Sequence, residues 1–198
     1  MNIIEIKITL EYTEPVVTRT LQVPADFRLD RLHLTIQAAM GWQNAHLYQF
    51  CIGEPYQWGA ERWVSPDFVD GPEDLPADKT TLDQAASKAG KAGLTYLYDF
   101  GDDWEHRLEI GETRKTEPGQ LYPRLTDITG TCPPEDIGGP PGYEMFVAAM
   151  ADPKHPEHAN LKDWYGGTFD PNTPATDELR LEVLKLAKRW KPKNKRSN

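Results

Sequence analysis

The sequence predicts an α+β protein of two layers, with helices against a mostly antiparallel or mixed sheet. Two periodicities support this class: apolar residues alternate with polar ones over residues 3–23, and they recur at three- and four-residue spacing over residues 29–40. A strand pattern follows, so the chain opens with a hairpin, a helix and a strand, much as in a ubiquitin-like grasp. Helical patterns end the chain.

The first element is a β-hairpin over residues 3–23. In IIEIKITLEY every second residue from Ile4 to Leu10 is apolar, and the residues between them are charged or polar. This period of two is typical of a half-buried strand. TEP provides a turn, VVTRTLQVP repeats the alternation, and Pro24 ends the second strand.

An amphipathic helix and a strand come next. Apolar residues from Leu29 to Met40 lie on one helical face, and Gly41 is a typical stop signal. LYQFCIG then reads as a third strand. Residues 54–80 are rich in Pro, Gly and Asp, which indicates a long surface excursion that could contain one short strand.

The middle of the chain predicts a short helix and a second hairpin. Thr80 or Thr81 can cap a helix that runs to about Lys91. LTYLYDF and WEHRLEI, joined by a Gly-Asp-Asp turn, form a hairpin from about 94 to 112. Residues 113–142, rich in Pro and Gly, read as loop.

Three helical patterns, YEMFVAAM, PEHANLKDW and ATDELRLEVLKLAKRW, complete the chain. We expect a single domain over residues 1–198, with a basic and flexible tail at 191–198. The two cysteines, Cys51 and Cys132, have no metal-ligand spacing and no disulfide framework. The amino-terminal residues fit neither a signal peptide nor a membrane span, so we expect a cytoplasmic protein without a membrane partner.

Charge is distributed unevenly. The net charge is −9, and seven of the 22 basic residues fall within the last fourteen positions. The remainder therefore carries 15 bases against 31 acids and should repel phosphate backbones. The basic tail could contact nucleic acid, but cations also suit the C-terminal end of a helix. A protein partner is therefore favoured over nucleic acid.

Residues 98–106, YDFGDDWEH, combine four carboxylates with one histidine. Asp102 and Asp103 suit a turn, and Asp99 points away from Tyr98. His106 shares the apolar strand face, where a structural histidine is commoner than a ligand or a general base. We expect His106 to be buried and to hydrogen bond to a carboxylate or carbonyl of the 131–144 loop.

Two other stretches offer candidate side chains. TCPPEDIGGPPGYE, residues 131–144, holds Glu135 and Asp136 in a segment stiffened by prolines. Amides just before the helix at Tyr143 could hold an anion, but a plain rigid connector is the favoured explanation of this composition. In DPKHPEH, His155 and His158 would lie on one face if Pro156 starts a helix. Such a pair can bind zinc, although surface histidines are commoner.

Four stretches of the sequence resemble the plasmid Ri ORF-three-like family. In chain order they are LDRLHLTIQAAMGWQNAHLYQF, YLYDFGDDWEHRLEI, GTCPPEDIGGPPGYEMFVAAMADPKHPEH and WYGGTFDP. The resemblance covers about residues 3–171. It implies a compact α+β domain of bacteria and archaea, found on plasmids, on mobile elements and elsewhere, and no particular reaction. Members are often labelled insertion-element passenger TnpR-like proteins, yet this chain shows no serine nucleophile within a basic DNA-binding body.

The resemblance and the chemistry select the same residues. The catalytic candidates are Asp99, Asp102, His106, Glu135 and Asp136, and the candidate metal ligands are His46, His155 and His158. Gathered together, such groups could bind a divalent metal and activate water, or form a structural hydrogen-bonded network. The sequence favours an accessory or interaction domain of a mobile-element-associated family. The alternatives are a metal-dependent hydrolase, then a nucleic-acid-binding protein acting through the tail, so enzymatic activity is an open question.

Overall fold

The protein is described here by a computed structural model covering residues 2–191, and it has the predicted α+β fold. In chain order the elements are β1 (Asn2–Leu10), β2 (Val17–Pro24), α1 (Leu29–Met40), β3 (Tyr48–Ile52), β4 (Arg62–Val64), β5 (Asp74–Pro76), α2 (Leu82–Ala89), β6 (Leu94–Tyr98), β7 (Trp104–Lys115), β8 (Arg124–Thr129), α3 (Gly139–Ala151), α4 (His158–Tyr165) and α5 (Thr176–Arg189).

The eight strands of residues 2–191 form one sheet, in the order β5-β4-β3-β6-β7-β1-β2-β8. Neighbouring strands are antiparallel except β4 and β5, which are parallel. The opening order of hairpin, helix and strand is as predicted. However, β6 and β7 separate β3 from β1, so the third strand does not pair with the first hairpin as it would in a grasp fold.

The predicted periodicities correspond to burial. The side chains of Ile4, Ile6, Ile8 and Leu10 are buried, and so is the apolar face of α1, as the alternation and the helical spacing require. Gly41 ends α1 in the left-handed region at φ +88°, with its N–H donated to the Gln37 carbonyl.

The excursion over residues 54–80 contains more regular structure than the sequence suggested. It holds both β4 and β5, which extend the sheet at the edge beside β3. Its two tryptophans differ in environment, since the Trp63 side chain is 1% exposed and Trp58 is fully exposed.

The segment 113–142 is not entirely loop, because β8 lies within it and pairs with β2 at the other edge of the sheet. Only Leu125 within the strand is buried, and a bulge interrupts its pairing. Such a strand is specified mainly by its partner, and local alternation alone does not reveal it.

The three C-terminal helices form where the patterns predicted them, and α5 packs against α1 and β8. Among residues 2–191, no helix is both long and apolar enough to cross a membrane. Most of the predicted basic tail, residues 192–198, lies outside the described residues.

Candidate metal centre

Three segments meet at one end of the sheet. They are the connection between α1 and β3, the residues just after β6, and the loop that precedes α3. They contribute one imidazole and three carboxylates, which we call the acid–histidine cluster: His46, Asp99, Glu135 and Asp136.

The cluster is centred on Nε2 of His46. This atom lies 3.0 Å from Oδ1 of Asp136 and 3.5 Å from Oδ2 of Asp99. The nearest oxygen of Glu135 is 3.8 Å away. Ligand atoms of His46, Asp99 and Asp136 all lie within 4.8 Å of one another.

The cluster is partly open to solvent. The side chains of Asp99 and Glu135 are 11% and 12% exposed, whereas that of Asp136 is 71% exposed. The His46 ring is 29% exposed, but its Nε2 is covered and has no hydrogen-bond partner of acceptable geometry. The 3.0 Å approach to Asp136 therefore brings the atoms close together without aligning an N–H donor with the carboxylate.

A buried tyrosine holds two of the segments together. The Tyr98 hydroxyl accepts the backbone N–H groups of Ala45 and His46, at 3.0 and 3.3 Å, and donates to Oε1 of Glu135 at 3.1 Å. The same Glu135 oxygen accepts the N–H of Gln43 at 2.8 Å. Burial, followed by the negative charge of Glu135, raises the pKa of Tyr98, so the phenol stays protonated and can donate.

Two further contacts fix the 131–144 loop. The Trp42 indole donates to the Pro133 carbonyl at 3.0 Å, and Asp102 accepts the N–H of Gly138 at 3.1 Å. Gly139 lies so close to the hairpin turn that a β-carbon there would sit 2.4 Å from the Asp102 carbonyl oxygen.

Backbone strain accompanies the cluster. Asp99 and Asp136 both have left-handed backbone, with φ of +57° and +59°. Oδ1 of Asp99 accepts the N–H of Gly101 at 2.9 Å, a local bond that Asp uses to tolerate such a turn. Non-glycine residues in this region are found where the surrounding structure fixes them, often at functional sites.

Behind the cluster lies a closed circuit of hydrogen bonds that we did not predict. Gln37 donates to the Tyr96 hydroxyl, and His33 pairs with both that hydroxyl and the side-chain amide oxygen of Asn44. Asn44 returns its backbone N–H to Oε1 of Gln37 at 2.9 Å. Since an amide oxygen only accepts, Nε2 of His33 carries the proton and Nδ1 accepts from Tyr96.

The circuit fixes the connection that carries His46. Burial lowers the pKa of His33 to about 4, so its imidazole is neutral, and the ring stacks on Tyr48 at 3.6 Å between centroids. A sequence signal was present: His33 and Gln37 are four residues apart on the buried face of α1, where polar side chains need partners.

His106 is buried as predicted, with no exposed surface. The predicted partner was wrong: Nδ1 of His106 is 3.1 Å from the Tyr96 carbonyl in the neighbouring strand, and no bond joins it to the 131–144 loop. Asp102 supplies the link between hairpin and loop instead. Burial lowers the pKa of His106 to about 4, and the ring lies among Trp42 and Tyr96.

His155 and His158 do not join the cluster. Helix α4 begins at His158 and not at Pro156, so the two histidines are not presented by one helical turn. Nδ1 of His155 accepts the N–H of Glu157, and Nδ1 of His158 donates to the Ala149 carbonyl at 2.8 Å. These local hydrogen bonds are sufficient to explain where both imidazoles lie.

Both cysteines are free. Burial raises the pKa of the Cys51 and Cys132 thiols to about 12. The thiolate, which is the reactive form, is therefore scarce at neutral pH.

A groove of about 310 Å³ adjoins the cluster and shares His46 with it. Its other polar walls come from Asp30, His33, Asn44, Tyr48 and Ser65. A ligand in this groove would lie against the imidazole and could hydrogen bond to these side chains.

Similarity to other proteins extends over most of the chain. A sequence model of the plasmid pRiA4b ORF-3-like protein matches residues 2–178. The uncharacterized protein y4hQ of Sinorhizobium fredii is 41% identical over 197 residues, which is 98% of this chain and 97% of that protein. The crystal structure of a protein of unknown function, MM3350 from Methanosarcina mazei Go1, matches with a TM-score of 0.79 and 26% identity, over 89% of this chain and 96% of that one.

Proposed function

The chain belongs to the plasmid pRiA4b ORF-3-like protein family, and we propose that it binds a divalent transition-metal ion through His46, Asp99 and Asp136. One observation carries the proposal: a nitrogen and two carboxylate oxygens from three separate segments lie within 4.8 Å of one another. The three segments are distant in sequence, so these ligand atoms come together only in the folded chain.

The spacing suits a shared ion. Two ligand atoms bound at about 2.1 Å lie about 3.4 Å apart in a tetrahedral site and about 3.0 Å apart at adjacent positions of an octahedral one. Nε2 of His46 is 3.0 Å from the Asp136 oxygen and 3.5 Å from the Asp99 oxygen. Nε2 of His46 has no aligned hydrogen bond. This suits an imidazole whose lone pair at Nε2 points at an ion and not at a carboxylate.

Charge supports the same conclusion. Three carboxylates surround a single imidazole, so the cluster has an excess of negative charge in a partly buried setting. A divalent cation offsets that repulsion. A set of one imidazole and carboxylates suits Zn²⁺, Mn²⁺ or Fe²⁺ better than Ca²⁺, which prefers oxygen ligands alone.

The arrangement further supports a metal-dependent hydrolase. Three protein ligands leave positions for water or substrate, and a bound zinc ion lowers the pKa of such a water to about 7. Glu135 is held beside the three ligands by Tyr98 and the Gln43 N–H. Its second oxygen can accept a proton, which is the role of a general base.

Calorimetric titration of the chelator-treated protein with zinc chloride and manganese chloride tests the metal site. We expect one ion per chain, and a loss of affinity of at least about tenfold in His46→Gln, Asp99→Asn and Asp136→Asn. Asp103→Asn is the matched control, since this exposed acid lies in the same hairpin turn but outside the ligand set.

A second control addresses the other metal site considered from the sequence. His155→Ala combined with His158→Ala should leave the titration unchanged, because both side chains have local partners. If this double variant abolished binding while the three cluster variants retained it, the metal would lie elsewhere and the proposal would fail.

An accessory or interaction domain is the second candidate function. Trp58 is fully exposed and Tyr56 is 66% exposed, both on the excursion over residues 54–80, and exposed aromatic side chains are enriched at protein interfaces. Sedimentation velocity on wild type and Trp58→Ser tests self-association through this surface. Identical monomeric profiles over the whole concentration range would argue against it. A mobile-element setting and a cytoplasmic location stay predictions of the sequence.

A further inference from the structure

Gln49 in β3 is a largely buried polar residue without a partner. Its neighbour Tyr48 stacks on His33 of α1, and side chains alternate along a strand, so Gln49 points to the opposite face of the sheet. The residue is 5% exposed. Within residues 2–191 its side-chain amide forms no hydrogen bond, yet both amide atoms keep some accessible surface. Buried amides normally have hydrogen-bond partners, so this amide is free to bind a ligand.

Gln49 lines a pocket of about 210 Å³ on that face of the sheet. Three aromatic residues form other walls: Tyr56 and Phe68 of the excursion over residues 54–80, and Phe100 of the second hairpin. All three are exposed, and none of their rings packs against another aromatic ring in the described part of the chain. Ring surface is therefore available on several sides of the amide.

The charged groups in the pocket wall are already paired. Nε of Arg62 donates to Oδ1 of Asp74 at 2.5 Å. The other Asp74 oxygen accepts the backbone N–H groups of Asp70 and Gly71, at 3.0 and 3.2 Å. Because the guanidinium has its counterion within the protein, the pocket does not require an anionic ligand.

The surroundings of the pocket are negatively charged. Glu105 and Gln49 belong to one row of cross-strand neighbours, two strands and about 10 Å apart. Burial, followed by the charge of Glu54, raises the pKa of Glu105. The Tyr56 hydroxyl donates to Asp103, which brings a further acid to the rim. These acids attract a cation and repel an anion.

We propose that this pocket binds an alkylated ammonium group that keeps at least one N–H. Aromatic faces attract such cations, and the attraction grows when the cation is removed from water. The alkyl groups would contact the aromatic walls. The N–H would donate to Oε1 of Gln49, which gives the unpaired amide a charge-assisted hydrogen bond. A quaternary ammonium would gain the ring contacts but not this bond.

The size of the pocket suits a head group and not a whole large ligand. Its volume is about 210 Å³, below the range of about 300–1,000 Å³ that is usual for drug-sized ligands. A small free amine and the alkylated lysine side chain of another protein share this chemistry. None of the four residues of the acid–histidine cluster lines the pocket, so this binding is independent of the proposed metal site.

NMR titrations of the ¹⁵N-labelled full chain at pH 7 test the charge and the N–H of the ligand. The probes are protonated N,N-dimethylethanolamine, choline, which has no N–H, and 3,3-dimethylbutan-1-ol, the neutral analogue of choline. We expect dimethylethanolamine to bind at least about tenfold more tightly than the neutral probe and several-fold more tightly than choline. No binding at about 10 mM would overturn the site. Equal binding of the neutral probe would overturn the cation, and tighter binding of choline would overturn the hydrogen bond.

A fourth probe identifies the source of the ammonium group. Nα-acetyl-Nε,Nε-dimethyllysine amide carries the same dimethylammonium group on a lysine side chain. If it binds more tightly than dimethylethanolamine, the natural ligand is an alkylated lysine of a protein. If it binds equally or less tightly, the natural ligand is a small free amine.

Variants locate the binding. Gln49→Met keeps the side-chain volume and removes the amide, so it should abolish the preference for dimethylethanolamine over choline while choline still binds. Phe68→Ala should weaken both cations by at least about fivefold, because it removes one aromatic wall. Gln120→Met changes an exposed glutamine of a turn and is the matched control, which should keep all affinities. A retained preference in Gln49→Met would contradict the hydrogen bond, and unchanged affinities in Phe68→Ala would place the binding elsewhere and overturn the proposal.

Discussion

The Nε2 atom of His46 lies 3.0 Å from Oδ1 of Asp136, yet the two atoms do not form a hydrogen bond. The close approach follows from the way in which the two loops are held, because His46 is fixed by the Tyr98 hydroxyl and Asp136 by a left-handed backbone in a docked loop. Carboxylates surround Nε2 of His46, but no N–H donor is aligned with any of them. This feature distinguishes the cluster from an ordinary surface ion pair.

Tyr98→Phe should destabilise the protein by about 1–3 kcal/mol, because it leaves the N–H groups of Ala45 and His46 without their acceptor. It should also weaken zinc binding by about tenfold, since groups that orient metal ligands typically contribute that much. Urea denaturation and zinc calorimetry measure the two effects. Tyr12→Phe, which alters a residue that is 71% exposed, is the control. Zinc affinity unchanged by Tyr98→Phe would show that the hydroxyl does not position the site.

Gly139→Ala should cost more than about 2 kcal/mol of unfolding free energy. Its backbone is left-handed, at φ +67°, and an added β-carbon would lie 2.4 Å from the Asp102 carbonyl oxygen. Gly167→Ala is a matched control, because nothing lies within 4 Å of the added carbon and its φ is not in the left-handed region. The comparison uses denaturant midpoints. Equal midpoints for the two variants would contradict the close contact between the hairpin turn and the loop.

Stability should fall as the pH is lowered from about 6.5 to about 4. Burial lowers the pKa values of His33 and His106 from 6.5 to about 4 in the folded protein. Within that interval the unfolded chain binds more protons, so protonation favours unfolding, and the loss is on the order of 3 kcal/mol for each histidine once the pH reaches 4. Above pH 6.5 both imidazoles are neutral in both states, and this dependence ends.

The pH dependence can be assigned by mutation. Urea denaturation between pH 7 and pH 4 should show a shallower dependence in His106→Ala than in wild type, because one of the two buried sites is gone. His155→Ala, which removes a histidine outside the core, should keep the wild-type slope. A wild-type slope in His106→Ala would mean that His106 is not held neutral by burial.

Within the hairpin, His106→Ala should cost about 1–3 kcal/mol, because the Tyr96 carbonyl loses its buried partner. Asp103→Asn should change stability by less than about 0.5 kcal/mol, since Asp103 is exposed and an amide oxygen can still accept from the Tyr56 hydroxyl. Calorimetric scans of both variants measure the difference, and greater damage from Asp103→Asn would reverse these roles.

Much of the fold could be predicted because periodicity is a local property. Several elements formed where their patterns indicated: the first hairpin, α1 with Gly41 at its end, the short helix after Thr81 and the three C-terminal helices. β8 went unrecognised because it lies at an edge of the sheet, buries only Leu125 and pairs with β2, which is distant in the chain.

The candidate site was predictable only as a set of residues. His46, Asp99, Glu135 and Asp136 were all selected from the sequence, and the structure gathers them. His106, selected with them, lies in the core. His33 was overlooked, although a polar pair on the buried face of α1 was a readable sign of a buried network.

The sequence by itself therefore determined where the helices and the strands of the two hairpins lie, because alternation and helical spacing indicate which side of each segment must be buried. Only the tertiary structure decided which carboxylates lie beside which histidine. That pairing depends on the strand order, which separates β3 from the first hairpin, and on single bonds such as Trp42 to Pro133 and Tyr98 to Glu135. Loop residues have no periodicity, so contacts between distant parts of the chain, and not local pattern, fix where their side chains lie.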